Sequence, residues 1–144
     1  MIDESVLKAI ETQKEGLNES NRIGRVLNAL SMLKSQMPEK AWVGFYADDG
    51  VSLKLSYFQG TPACEDIPYS RGVVGGAYRE KGEIIVDDVT EFPGYICCDE
   101  AAASEYCLYV DGLVFDVDYP KGFPIREDAK TLFEAGRIIA SMMP

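Results

Sequence analysis

Four cysteines and a group of carboxylates carry most of the chemistry available to this 144-residue chain. Cys64, Cys97, Cys98 and Cys107 all fall between Phe58 and Asp118, in company with Glu105, Asp116 and Asp118. There is no histidine. Proton transfer and nucleophile activation must therefore use other groups, and a thiolate beside carboxylates is the combination most at hand. The cysteines lack paired CxxC spacing, which argues against a zinc site; no metal and no cofactor is expected. A disulfide between the neighbours Cys97 and Cys98 is disfavoured, because adjacent Cα atoms lie ~3.8 Å apart and disulfides usually need roughly 4.4 Å or more.

Compartment and charge narrow the options further. The N-terminal stretch MIDESVLKAIETQKEG is charged and has no apolar signal core. No apolar run approaches the ~18 residues of a membrane span. A cytoplasmic location is expected, where stable disulfides are rare, so the cysteines are read as buried packing residues or as redox-active ones. A net charge of −10 would repel a polyanion, which argues against nucleic acid and against anionic membrane surfaces. The length predicts one domain over residues 1–144, and 47% hydrophobic residues suffice for a core.

The elements that must position these groups follow in order. Asp3 to about Gly16 reads as a helix capped by Asp3. A second helix, capped by Asn18 or Ser20, runs to about Met37 with Ile23, Val26, Leu27, Leu30, Leu33 and Met37 as its apolar stripe; Pro38 ends it. Ala41–Ala47 and Val51–Phe58 form a hairpin around Asp48-Asp49-Gly50. Ala63–Ile67 is a loop carrying Cys64. Arg71–Lys81 is a short helix whose glycines allow close backbone approach, and Glu83–Val86 is a strand. Asp87–Ala103 is a long connection of the kind that often serves as a binding loop. Ser104–Val110 and Leu113–Asp118 form a second hairpin around Asp111-Gly112. Alternation places Glu105 with Cys107 and Tyr109 on one face, and Asp116 with Asp118. Phe123–Met143 is a closing helix with Leu132, Phe133, Ile138, Ile139 and Met142 in its stripe. Two hairpins with flanking helices imply an α+β domain: a mostly antiparallel sheet with helices on one face.

Taken together, WVGFY (Trp42–Tyr46), FQGTPAC (Phe58–Cys64), RGVVGGA (Arg71–Ala77), DVTEFPGYICCD (Asp88–Asp99), Ser104-Glu105 and FDVD (Phe115–Asp118) stand in the order seen in one group of GAF domains. The chain resembles the free methionine-(R)-sulfoxide reductases along nearly its whole length. The resemblance implies a GAF-like fold with N- and C-terminal helices packed together. Of the family's three cysteines, the first matches Cys64 and the third Cys98. The middle one falls on Val74, the family's histidine before the third cysteine is Tyr95, and the alanine there is Cys97.

The resemblance further implies the roles. Cys98 is the nucleophile toward sulfoxide sulfur and Cys64 the resolving thiol, giving a Cys64–Cys98 disulfide that thioredoxin or a similar dithiol resets. Glu105 is assigned to proton transfer. Asp116 and Asp118 are suited to the substrate ammonium, and Trp42 to the wall around the methyl-sulfoxide group. Clustered carboxylates repel, so at least one should keep its proton. Each residue also has a plainer reading: a cysteine is often a packing residue, the favoured reading for Cys107, and a tryptophan is more often core than ligand wall. Val74 and Tyr95 motivate the alternative of a non-catalytic GAF module for a small amino-acid-like ligand, and the flanking amphipathic helices that of a homodimerising domain.

Overall fold

The computed structural model describes residues 1–144. Helix α1 spans Ser5–Lys14. Its start follows Asp3, whose side chain accepts a hydrogen bond from the Ser5 backbone N–H at 2.9 Å. The residues Asn18 to Asn21 are spent on a turn, because the Asn18 side-chain oxygen accepts from the Ser20 and Asn21 backbones. Helix α2 therefore begins later than expected, at Arg22, and runs to Ser35. Strands β1 (Trp42–Asp48) and β2 (Leu53–Gln59) form the first hairpin. A two-residue strand β3 (Asp66–Ile67) lies in what sequence reads as loop. Helix α3 is Gly72–Glu80, and β4 is Glu83–Val86. Strands β5 (Ala102–Val110) and β6 (Leu113–Pro120) form the second hairpin. Its tip, Asp111 and Gly112, takes positive φ at both residues, the geometry that matches strand twist in a two-residue turn.

The six strands pair in the order β3-β2-β1-β6-β5-β4. Every pairing is antiparallel. Alternation along the strands sends residues to two separate cores. Val43, Phe45, Tyr106, Leu108, Phe115 and Val117 pack under α1, α2 and the closing helix α4 (Ala129–Met142). Trp42, Tyr46, Cys107 and Val114 point the other way, against Val73, Val74 and Ala77 of α3. The terminal helices do share one face, as expected. The expectation that all helices do so is corrected by α3, which covers the opposite face together with the connections on either side of it.

Other expectations also shift. Ile23 and Phe133 are exposed, not core. On α4 the buried row is Leu132, Ala135, Ile139 and Met142, the i, i+3, i+7, i+10 face of a helix. Phe133 is one residue off that row and lies under the Arg137 guanidinium instead. The closing helix does not start at Phe123; a 3₁₀ turn at Ile125–Asp128 precedes α4. Val51 is exposed and belongs to the turn before β2. No helix is long and apolar enough to cross a membrane.

Candidate active site

The site lies on the α3 face of the sheet. In the β5–β6 register Glu105 opposes Asp118 and Cys107 opposes Asp116. One patch of two strands thus holds three carboxylates and a thiol. Glu105 and Asp116 are each only 5% exposed. The Cys107 sulfur lies 3.4 Å from Glu105 Oε2 and 3.3 Å from Asp116 Oδ1.

Strand β1 forms the adjoining wall with Trp42 and Tyr46, two residues either side of Gly44. A Cβ at Gly44 would fall 2.4 Å from the Phe58 Cβ and 2.8 Å from the Trp42 ring, so glycine is what lets Phe58 stack on Trp42 with ring centroids 5.4 Å apart. The same two β1 side chains hold the Cys64 loop. The Trp42 indole N–H donates to the Thr61 carbonyl at 2.9 Å. The Tyr46 hydroxyl donates to the Cys64 carbonyl at 2.8 Å.

The third side is the connection after β4. Its 3₁₀ turn at Val89–Glu91 is capped by Asp88. The Gly72 N–H donates to the Gly94 carbonyl at 3.0 Å, which fastens this connection to the start of α3. Gly72 itself has φ +74 and faces Ile96. Gly72 therefore serves close backbone approach. Tyr95, Ile96, Cys98 and Asp99 enter the cavity from this side. Cys98 is joined to Cys64 by a disulfide with Cα atoms 5.3 Å apart, although the two are separated by 34 positions. Cys97, next in the chain, is exposed and free.

The cavity so formed is lined by Trp42, Tyr46, Val73, Val74, Tyr95, Cys98, Glu105, Asp116 and Asp118 among others. Of the residues singled out from sequence, Trp42, Cys98, Glu105, Asp116 and Asp118 meet here, and Cys64 is bound to Cys98 at the rim. Tyr46, Ile96 and Asp99 were not singled out. Tyr46 was within reach of the sequence argument, since it shares the strand face of Trp42; Ile96 and Asp99 sit in an aperiodic stretch that gives no facing. Cys107 is buried, as a packing residue would be, but its contacts are carboxylates.

Burial pushes Glu105 well above the usual carboxylate range, and the charges of Asp116 and Asp118 add to the effect. Asp118 is raised by burial and then by Asp116 and Asp99. Asp116 is raised by burial, while hydrogen bonds from Glu105 and Cys107 pull the other way. The Cys107 thiol is pushed up by burial and by the same acids, so it stays protonated. The Tyr46 and Tyr95 hydroxyls are raised too, chiefly by burial, and remain donors. The ligand atoms of Glu105, Cys107 and Asp116 lie within 4.8 Å of one another. The arrangement suits a primary ammonium and a proton donor.

No protein-family model matches the chain. The chain is 42% identical over 117 residues to GAF domain-containing protein A of Dictyostelium discoideum, covering 76% of this chain and 73% of that one. It is 36% identical over 130 residues to the free methionine-R-sulfoxide reductase of Saccharomyces cerevisiae, covering 80% of this chain and 72% of that one. This chain belongs to the free methionine-R-sulfoxide reductase family. Its structure superposes on the Neisseria meningitidis free methionine-R-sulfoxide reductase, solved in complex with its substrate, with a TM-score of 0.80 at 33% identity, over 95% of this chain and 85% of that one. The fold is therefore that of the GAF domains, and the enzyme class is oxidoreductase.

Within a free methionine-R-sulfoxide reductase framework, the positions that resemblance marked as departures can now be located. Val74 is buried in the apolar wall that α3 gives the cavity. Tyr95 lines the same cavity, half-buried, with the Glu105, Asp118 and Asp116 charges acting on its hydroxyl. Cys97 faces outward, away from the cavity lining.

Proposed function

We propose that residues 1–144, acting as one GAF domain, reduce free L-methionine-(R)-sulfoxide to methionine with Cys98 as nucleophile and Cys64 as resolving thiol. The observation that carries the reading is the convergence of Cys98, bonded to Cys64, with Glu105, Asp116 and Asp118 in one cavity. The similarity to a Neisseria reductase described with its substrate supports the substrate class. The Cys98 thiolate attacks the sulfoxide sulfur. Oxygen leaves with the cysteine, so methionine and a Cys98 sulfenic acid form. Glu105, whose carboxyl is held well above the usual range by burial and by its acidic neighbours, supplies a proton to the departing oxygen. Asp116 and Asp118 take the substrate ammonium, and Trp42 bounds the methyl-sulfoxide end. The Cys64 thiol then condenses with the sulfenic acid, releasing water and leaving the disulfide. A dithiol such as thioredoxin returns both cysteines to thiols and becomes a disulfide itself. A reducing, cytoplasmic setting fits that last step.

Single-turnover methionine release from reduced protein tests the reading. Cys98→Ser should release none. Cys64→Ser should release one equivalent, retain a sulfenic acid that dimedone traps, and stop cycling with the dithiol. Full release from Cys98→Ser would remove the assignment. Val74, Tyr95 and the similarity to a protein named only for its GAF domain favour a second reading, a non-catalytic module binding an amino-acid-like ligand; that module would bind methionine sulfoxide and leave it unreduced.

A further inference from the structure

We propose that Cys107 is a positioning residue that divides labour between the two carboxylates flanking it: it donates its S–H to Asp116, which stays anionic, and leaves the shared proton on Glu105. This deepens the reductase reading and rests on it for the use made of each carboxylate, though not for the hydrogen bonds themselves.

The argument starts from hydrogen count. The Cys107 sulfur is within hydrogen-bond reach of two carboxyl oxygens, 3.3 Å from Asp116 Oδ1 and 3.4 Å from Glu105 Oε2. A thiol has one hydrogen and can donate it once. The other carboxyl then meets sulfur lone pairs. An ionised oxygen there would be repelled, whereas a protonated one is tolerated or donates to sulfur. The two carboxyl oxygens also lie within 4.8 Å of each other in a fully buried patch, where two full negative charges are costly. One retained proton resolves both conflicts. It belongs on Glu105, whose oxygen is the farther from the sulfur, 3.4 Å against 3.3 Å, so that the thiol hydrogen goes to Asp116. Position in the sheet agrees: Cys107 sits directly opposite Asp116 in the β5–β6 register, and two residues along the same strand from Glu105. An aliphatic side chain would fill the same space and leave Asp116 without this donor.

Other titratable groups face the cluster and must be held constant in any test. They are Asp118 on β6, Tyr46 on β1, and Tyr95 and Asp99 on the connection before β5. Helix α3 turns only apolar side chains toward it, namely Val73, Val74 and Ala77.

The experiment reads the hydrogen bonds directly. With Cys64 and Cys98 in their disulfide, a Cys97→Ser protein carries its only S–H at Cys107. Its infrared S–H stretch should show the lowered, broadened band of a thiol donating to an anion; a band at the free-thiol position overturns the proposal. Carbon-13 NMR titration of the Glu105 and Asp116 carboxyls then gives the second arm. Removing a donor to the ionised form raises the pair's apparent pKa, so Cys107→Val should move the titration up by about one pH unit. Cys107→Ser, which keeps a donor, should restore it. Coincident titrations of wild type and Cys107→Val, or a Cys107→Ser protein that titrates like Cys107→Val, would overturn the assignment. None of these readouts needs turnover. If methionine sulfoxide is not reduced at all, the proposed function fails while the hydrogen-bond result stands; if it is, the alkaline limb of kcat/KM should move with the carboxyl titration.

Discussion

Glu105 shows how a residue can be expensive to fold and useful to keep. Its carboxyl is buried beside two others, which raises its affinity for a proton well above that of an exposed acid. A group in that state is ready to protonate a leaving oxygen. Glu105→Gln keeps the shape and the hydrogen-bonding amide but has no proton to give. It should lower kcat/KM for sulfoxide reduction by about 10²- to 10⁴-fold, with methionine binding measured by calorimetry changed far less. Asp118→Asn should do the reverse, raising KM more than it lowers kcat. The three carboxylates were legible in sequence because strand alternation puts Asp116 with Asp118 and turns Glu105 toward one face. Cys107 was legible as buried and not as a hydrogen-bond donor. Its partners depend on which residue of β6 lies opposite, and register is set by the whole hairpin, not by local spacing. The same holds for Cys64 and Cys98, whose approach no spacing could supply; the pairing came from resemblance, and the fold is what makes the 5.3 Å Cα separation.

The elements around the site are held more firmly than their lengths suggest. Strand β1 anchors the Cys64 loop at Thr61 and Cys64 through Trp42 and Tyr46, and α3 anchors the Cys98 connection through Gly72. The disulfide joins the two anchored segments over the cavity. The cavity beneath is about 30 Å³, room for a water or two and less than an amino acid needs. The disulfide is therefore expected to close the site to substrate. Methionine sulfoxide should bind the reduced protein and show no heat of binding with the oxidised protein in titration calorimetry; equal binding to both would contradict closure. Helix docking gives a separate test. A Cβ at Gly136 of α4 would lie 2.5 Å from the Phe115 ring, while one at Gly24 of α2 meets nothing within 4 Å. Gly136→Ala should cost about 1–3 kcal/mol through overpacking, and Gly24→Ala should add up to about 1 kcal/mol from helix propensity, both read from urea midpoints. The strands and helices themselves were legible because their apolar periods are long. The side of the sheet taken by α3 was not, since a short helix rich in glycine and valine presents no polar face to exclude either choice.

At the scale of the molecule, two kinds of acid set opposite limits on stability. Asp3, Asp49, Asp66 and Asp88, which are exposed, and Asp48, which is half-buried, are held below the usual carboxylate range, each chiefly by hydrogen bonds to its carboxylate. A lowered folded-state pKa gives stability that is present above the unfolded value and lost as pH falls through the folded one. These groups act at the acid end, and their exposure keeps each effect small. Glu105, Asp116 and Asp118 are raised instead. Their contribution is complete below the ordinary carboxylate pKa and is lost as pH climbs through the raised folded values. Stability should thus fall from mildly acidic toward alkaline pH. The net charge of −10 predicts a decline in the same direction, because an acidic surface repels itself more as protons leave. Salt separates the two causes. Surface repulsion is screened within a Debye length of about 8–10 Å near physiological ionic strength, and a buried cluster is screened much less. Tm measured from roughly pH 5 to roughly pH 8 should decline in wild type at both low and high salt, and the part that survives high salt should shrink in Glu105→Gln, whose midpoint at the alkaline end rises by about 2–4 °C for each kcal/mol recovered. If high salt alone flattens the wild-type curve, the decline belongs to the surface, and the buried acids are not the groups that limit this fold at alkaline pH.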